Sequence, residues 1–254
     1  MTVTDSRENP TLRDWLREGP FALAMSSGFF SFFAHTGFLT VLEDEGLLPR
    51  RVSGSSAGAL VTASWASGVD APVLARELDI LQRADFWDPG VGPGFLRGRL
   101  FRERLERLLP NRGFEACRVP AAISVFDVRS RRTHVLETGE VTAAIHASCA
   151  VPVLFHPVVI GGRAYLDGGI LDRPGLVGMP RTEPRVLFHH IASKSRWRTK
   201  LEVPRREGMV TVALRDLPRS GPFRLEHGRR AFVAAREATK RALDRRIDGA
   251  LVFG

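Results

Sequence analysis

Cysteine is nearly absent from this chain. Cys117 and Cys149 are the only two in 254 residues, too few for a disulfide framework and without metal-ligand spacing, which agrees with a reducing compartment. Long apolar runs are also missing. The longest are interrupted by Ser31, His35 and Thr36, or by Ser64 and Ser67, so no membrane-spanning segment is expected. Residues 1–19 are charged and lack the apolar core of a signal peptide, which argues for the cytoplasm. No internal repeat and no metal-binding constellation appear, so no cofactor and no metal are expected. Lysine is the last scarcity: of 37 basic residues only Lys194, Lys200 and Lys240 are lysine, leaving 34 arginines. The formal charge of +9 invites a nucleic-acid or anionic-membrane reading. However, the cations are scattered rather than interleaved with aromatics and spell no recognised motif, and an arginine skew of this kind also follows from nucleotide composition. Nucleic acid is therefore not the expected partner.

What the chain does have is concentrated in residues 50–68, RRVSGSSAGALVTASWASG. Gly54-Ser55-Ser56-Ala57-Gly58 fits G-x-S-x-G, the turn that lifts a serine off a strand end onto a helix start. Ser56 is the candidate nucleophile. Gly54 and Gly58 flank it because so sharp a turn brings backbone segments together and a side chain would collide. Residues 57–66 read as a helix with an apolar stripe, and its N-terminus would aim free N–H groups and partial positive charge at the Ser56 hydroxyl. Upstream, 21–25 is a short continuous apolar run, as expected of a buried strand, followed by a turn at Ser26-Ser27-Gly28 and a helix from 33 stopping at Gly46. If the two strands are parallel, the right-handed crossover rule brings both C-termini to one rim. Acyl transfer needs N–H donors aimed at a developing oxyanion. Gly28 and Phe29 are the candidate oxyanion donors, the alternative being an ordinary loop.

At this length the chain is most simply one domain spanning 20–254 behind an N-terminal arm at 1–19, with a short helix expected at 12–17. Helices are expected at 71–84, 99–109, 141–148 and 226–248, and strands at 119–128, 133–137, 158–160, 163–166, 186–192 and 209–214. Gly161-Gly162 is a two-residue hairpin signal. A cationic loop is expected at 194–206. The last helix has a charged face that could meet anionic lipid, though a solvated surface explains it as well. Phe86, Trp87, Phe95 and Leu96 either cover an acyl groove or anchor a loop.

Residues 26–70 resemble the start of a patatin-like phospholipase domain, in which a glycine-rich oxyanion turn leads into a helix near an Ala-His-x-Gly sequence, here Ala34-His35-Thr36-Gly37, and then the serine elbow. A second block is similar to the same family: Ala147-Ser148-Cys149-Ala150-Val151-Pro152, a short hairpin, and Asp167-Gly168-Gly169. The resemblance covers roughly residues 21–174, leaving 175–254 less determined. It implies a three-layer α/β fold with a central, mostly parallel sheet flanked by helices. It also implies that Asp167 is the dyad partner of Ser56 and that the substrate is a lipid or other carboxylic ester, cleaved through an acyl-enzyme. The chain departs from the family at the oxyanion turn. Ser27, Gly28 and Phe29 stand where three glycines are usual, Ser31 where an arginine is, and Asp172-Arg173-Pro174 where Asn-x-Pro is common. Two other readings stay open. One is a silent lipid- or protein-binding domain; the other is a Ser-Asp-His hydrolase using His189, His190 or His227.

Overall fold

The structure, a computed structural model, describes residues 9–191, 203–248 and 251–253. In chain order the elements are α1 (Leu12–Glu18), β1 (Ala22–Met25), α2 (Phe32–Asp44), β2 (Arg51–Ser55), α3 (Ala57–Ala66), α4 (Ala71–Asp79) and α5 (Arg99–Leu108). There follow β3 (Ala121–Asp127), β4 (Arg132–Leu136), α6 (Val141–Ser148), β5 (Val158–Ile160), β6 (Arg163–Asp167), β7 (Val186–Ile191), β8 (Met209–Leu214), α7 (Leu225–Leu243) and β9 (Leu251–Phe253). All nine strands join one sheet in the order β5-β6-β3-β2-β1-β7-β8-β9, with β4 also paired to β3. The run from β3 to β9 is parallel, and β4, β5 and β6 are antiparallel additions. Every residue of β1 and β8 is buried, as expected of parallel strands covered on both faces.

The pairing of β3 positions the rest. β2 pairs with residues 121–124 of β3, β6 with 125–127, and β4 with 123–127. Because β4 overlaps both of the others, it must occupy one edge of β3 while β2 and β6 share the opposite edge. Parallel β2 and antiparallel β6 therefore run toward each other and meet end to end. Ser55 lies opposite Ser124 and Asp167 opposite Val125, one residue further on. The connections from β1 run to one side of the sheet and those from β7 to the other, so the C-terminal ends of β1 and β7 form the switch point where α/β sheets open a crevice.

Helix α3 is buried around its whole circumference, so the expected single apolar stripe is replaced by an enclosed helix between the sheet and its neighbours. Small residues let α2 and α7 approach closely. A Cβ on Gly37 would come 2.5 Å from the Phe232 carbonyl oxygen, and Gly228 lies against the Phe33 ring. On α7, Arg229 donates to the Asp79 and Leu81 carbonyls and Arg236 to Asp44, so part of its charged face ties it to α4 and α2. The Gly161-Gly162 turn has both φ angles positive, at 56° and 76°, as the hairpin signal requires.

Further segments differ from the sequence-based expectation: the helices expected at 71–84 and 226–248 end at Asp79 and Leu243. Residues 12–18 are not a loose arm: Leu12 and Leu16 are buried in the main core, and Arg13 bonds Asp244. β9 carries no periodic signal in three residues and exists through its pairing with β8. The expected cationic loop lies mostly outside the described residues.

Candidate active site

The elbow forms where β2 ends and α3 begins. Ser56 has φ 53° and ψ −120°, a strained conformation for a residue with a side chain. Its neighbours leave no slack. A Cβ on Gly54 would lie 2.6 Å from the Ala59 nitrogen, and one on Gly58 would fall against the Met25 carbonyl, so β1, the elbow and α3 interlock only with glycine at both places. Ser148 holds the turn from below. It accepts from the Ser56 N–H at 2.8 Å and donates to the Ser124 carbonyl at 2.8 Å. The Cys149 thiol donates to the Ser56 carbonyl at 3.3 Å, and burial pushes its pKa well above the ordinary value.

Asp167 reaches this point because β6 ends where β2 ends. The Ser56 hydroxyl donates to Asp167 Oδ2 at 2.6 Å, while the Gly169 N–H donates to Oδ1 at 2.7 Å. The pair is nearly sealed, with Ser56 9% and Asp167 6% exposed. Burial raises the Asp167 pKa to about 6, against the opposing pull of its bonds from Ser56 and Gly169. A carboxylate held there has twice the virtue of an exposed one, being oriented by an N–H and more basic near neutral pH.

Behind this pair lies a carboxylate that the sequence marked only as standing where the family commonly has Asn. Asp172, 2% exposed, accepts from the Ser124 hydroxyl at 2.6 Å and from the N–H groups of Gly175, Leu176 and Val177. Ser124 thus joins Ser148, under the elbow, to the loop that follows Asp167. The sequence signal was the Asp-Arg-Pro following Asp167-Gly168-Gly169.

The turn after β1 lies beside the elbow, and Gly28, Phe29 and Ser56 line common walls. Among the described residues, no hydrogen bond uses the N–H groups of Gly28 or Phe29. The positive φ of this turn, 57°, falls at Phe30 and not at Phe29, the residue that stands where the resemblance has its third glycine. His35 anchors the turn. Its Nε2–H donates to the Ser26 carbonyl at 2.8 Å, which leaves Nδ1 to accept from His189 Nδ1–H at 2.9 Å. Burial lowers the His35 pKa to about 3 and that of His190 to about 4, so both rings are neutral at pH 7. No histidine is a hydrogen-bond partner of Ser56 or Asp167 among the described residues; His189 is occupied with His35 and stacked on Phe38, and His227 lies near Glu226.

Two spaces open from Ser56. One is an apolar cavity of about 120 Å³ running between α3, α4 and α5, walled by Phe30, Leu60, Leu78, Phe86, Phe101 and Leu105 among others. Phe86 therefore lines it, as do Phe30 and Phe32, whereas Trp87 meets the rings of Phe95 and Phe223 edge-on. The other is a wider cleft of about 770 Å³ with mixed walls, polar at Ser27, Asp167, Arg173 and Asp216 and apolar at Ile170 and Leu217. Among the described residues no group of three or more His, Cys, Asp or Glu could hold a metal ion, and no helix is long and apolar enough to cross a membrane.

A strained serine between a parallel-sheet rim and a helix N-terminus, facing a buried carboxylate, defines an α/β protein of the serine-elbow class. Residues 23–177 match the family model described as patatin-like phospholipase, and the chain belongs to that family. It is 29% identical over 154 residues to the "Uncharacterized NTE family protein Rv1063c" of Mycobacterium tuberculosis, covering 59% of this chain and 43% of that protein. It is 28% identical over 166 residues to "Triacylglycerol lipase ptl3" of Schizosaccharomyces pombe, covering 55% and 34%. The match thus spans less than half the length of these curated relatives. Among solved structures, VipD from Legionella pneumophila aligns with TM-score 0.64 at 16% identity, covering 89% of this chain and 67% of that one. The type III effector protein ExoU aligns at 0.50 and 16%, covering 88% and 52%. At these identities the likeness is one of fold, a central, mostly parallel sheet flanked by helices.

Proposed function

We propose that the protein is a lipid acyl hydrolase that cleaves carboxylic esters with Ser56 as nucleophile and Asp167 as general base. The observation that carries the reading is the 2.6 Å bond from the Ser56 hydroxyl to a carboxylate whose pKa is raised to about 6. In the first half-reaction Oγ attacks the ester carbonyl carbon as its proton passes to Asp167 Oδ2, and the N–H groups of Gly28 and Phe29 hold the oxyanion. Collapse expels the alcohol, which takes the proton from Asp167 and leaves an acyl-serine. Water then attacks that ester, gives its proton to Asp167, and the acid departs as the proton returns to Ser56. The apolar cavity suits the acyl chain, and the wider cleft, which carries the polar groups, suits the leaving alcohol.

A fluorophosphonate probe tests this on purified protein. Labelling of wild type at Ser56, together with ester turnover lost in Ser56→Ala and Asp167→Asn, is the expected result. Full turnover by either variant overturns the assignment, and wild type that is neither labelled nor active favours a silent binding domain, the reading to which the altered oxyanion turn lends weight. A cytoplasmic protein with peripheral contact to anionic membrane goes with the hydrolase reading. Wild type that ignores anionic vesicles at low salt would remove that part.

A further inference from the structure

The walls of the apolar cavity carry a repeated pattern. Helix α4 contributes Leu74, Glu77 and Leu78, and α5 contributes Phe101, Arg104 and Leu105, each set at i, i+3, i+4 spacing and each with one charged residue in its middle place. Among the described residues, Glu77 and Arg104 are the only charged ones lining the cavity. They meet each other. Arg104 Nη2 donates to Glu77 Oε2 at 2.9 Å and to the Glu77 carbonyl at 3.1 Å, while Nη1 lies 3.0 Å from Asp85 Oδ2. Two hydrogen bonds and a second ion pair therefore fix the guanidinium. The side chains of Arg104, Glu77 and Asp85 are 19%, 34% and 34% exposed, so the cluster stands between an apolar space and solvent.

We propose that the Glu77–Arg104 pair, braced by Asp85, is a stop that closes the acyl cavity where α4 and α5 face water and so limits the length of chain that Ser56 accepts. This rests on the lipid-ester reading above. An acyl group with its carbonyl at Ser56 extends along Leu60, Leu78 and Leu105. To grow past the stop it must part the ion pair and lay methylenes against charges stripped of their partners, a costly exchange. The cavity is small, its 120 Å³ lying below the roughly 150 Å³ of an apolar cavity that takes up benzene. Short acyl groups fit it and long ones do not. The cluster is thus a specificity-determining element and takes no part in bond making.

The test uses the full chain and p-nitrophenyl esters from butyrate to palmitate, read as the ratio of kcat/KM for laurate over butyrate. Glu77→Leu/Arg104→Leu removes both charges and leaves neither alone, and should raise that ratio about tenfold, the effect of roughly two further buried methylenes. Arg104→Lys, which keeps the cation, should hold the wild-type ratio. A ratio unchanged in the double variant overturns the stop while leaving the hydrolase intact. A second readout is independent of turnover: in Ser56→Ala, with and without the two leucines, free fatty acids of rising length displace a fluorescent fatty acid. A length limit that moves outward with the leucines supports the stop even if wild type hydrolyses nothing. Identical limits in the two proteins overturn it.

Discussion

Two strand-to-helix turns lie side by side at one rim of the sheet, and they are shaped in opposite ways. The turn after β2 is held by Ser148 and Cys149 but takes its shape from its own glycines, since Gly54 and Gly58 have no room for a Cβ where the chain bends at Ser56. The turn after β1 puts its positive φ at Phe30 and is held from outside: His35 at the Ser26 carbonyl, the Arg173 carbonyl at the Ser27 N–H, and the Ser220 hydroxyl at the Phe30 carbonyl. The first turn presents a side chain and the second presents backbone. A side chain must be aimed by local geometry, whereas N–H groups are carried wherever tertiary contacts put the chain. The second turn can therefore lose glycines and keep its path.

The largest expected effect breaks the chemistry of the first turn and spares its shape. Ser56→Ala should lower kcat/KM by at least about 10⁴-fold with an unchanged far-UV spectrum. In wild type the same quantity should rise with pH through a single ionisation near 6, since Asp167 accepts a proton only when ionised. Next comes the shape itself. Gly58→Ala drives a methyl into the Met25 carbonyl and should cost roughly 3 kcal/mol or more in urea unfolding, whereas Gly28→Ala meets mainly the Ser31 side chain and should cost about 1 kcal/mol. Equal losses at the two positions would erase the contrast between the turns.

A third effect follows from the buried carboxylate. Asp167 titrates near 6 when folded against an ordinary 3.8, so between those values the folded chain keeps a proton that the unfolded chain has lost. Stability therefore falls as pH rises through that interval and stays lower above it. Asp167→Asn does not titrate and should be more stable than wild type at pH 8 by about 3 kcal/mol, a margin that shrinks to well under about 1 kcal/mol at pH 4. Thermal melts at the two pH values check the sign. The smallest effect is at Phe30→Gly, where relief of about 1 to 2 kcal/mol of left-handed strain is offset by glycine's extra chain entropy and lost ring contacts, leaving stability within about 1 kcal/mol.

The same contrast explains what could be read from the residues alone. β1, α2, the elbow, α3, α6 and the Gly161-Gly162 hairpin are spelled by contiguous residues, and their positions follow from local pattern. Ser56 and Asp167 are 111 residues apart, and nothing local in Asp167-Gly168-Gly169 distinguishes it from an ordinary turn; the family resemblance supplied the pairing. Ser148, Ser124 and Asp172 form a chain of contacts across 24 and 48 positions, and so were not legible in any one stretch. The positive φ at Phe30 was not legible either, because its fixing contacts come from the distant Ser220 and Phe86.

The head-on meeting of β2 and β6 along one edge of β3 makes alignment a precondition of reactivity. A slip of β6 by a single residue would carry Asp167 about 3.3 Å along the strand and turn its carboxyl group to the opposite face of the sheet. A molecule still searching for its partner strands thus has a hydroxyl without a base, and under the chemistry proposed above it stays harmless to lipids until the last antiparallel pair has locked into register.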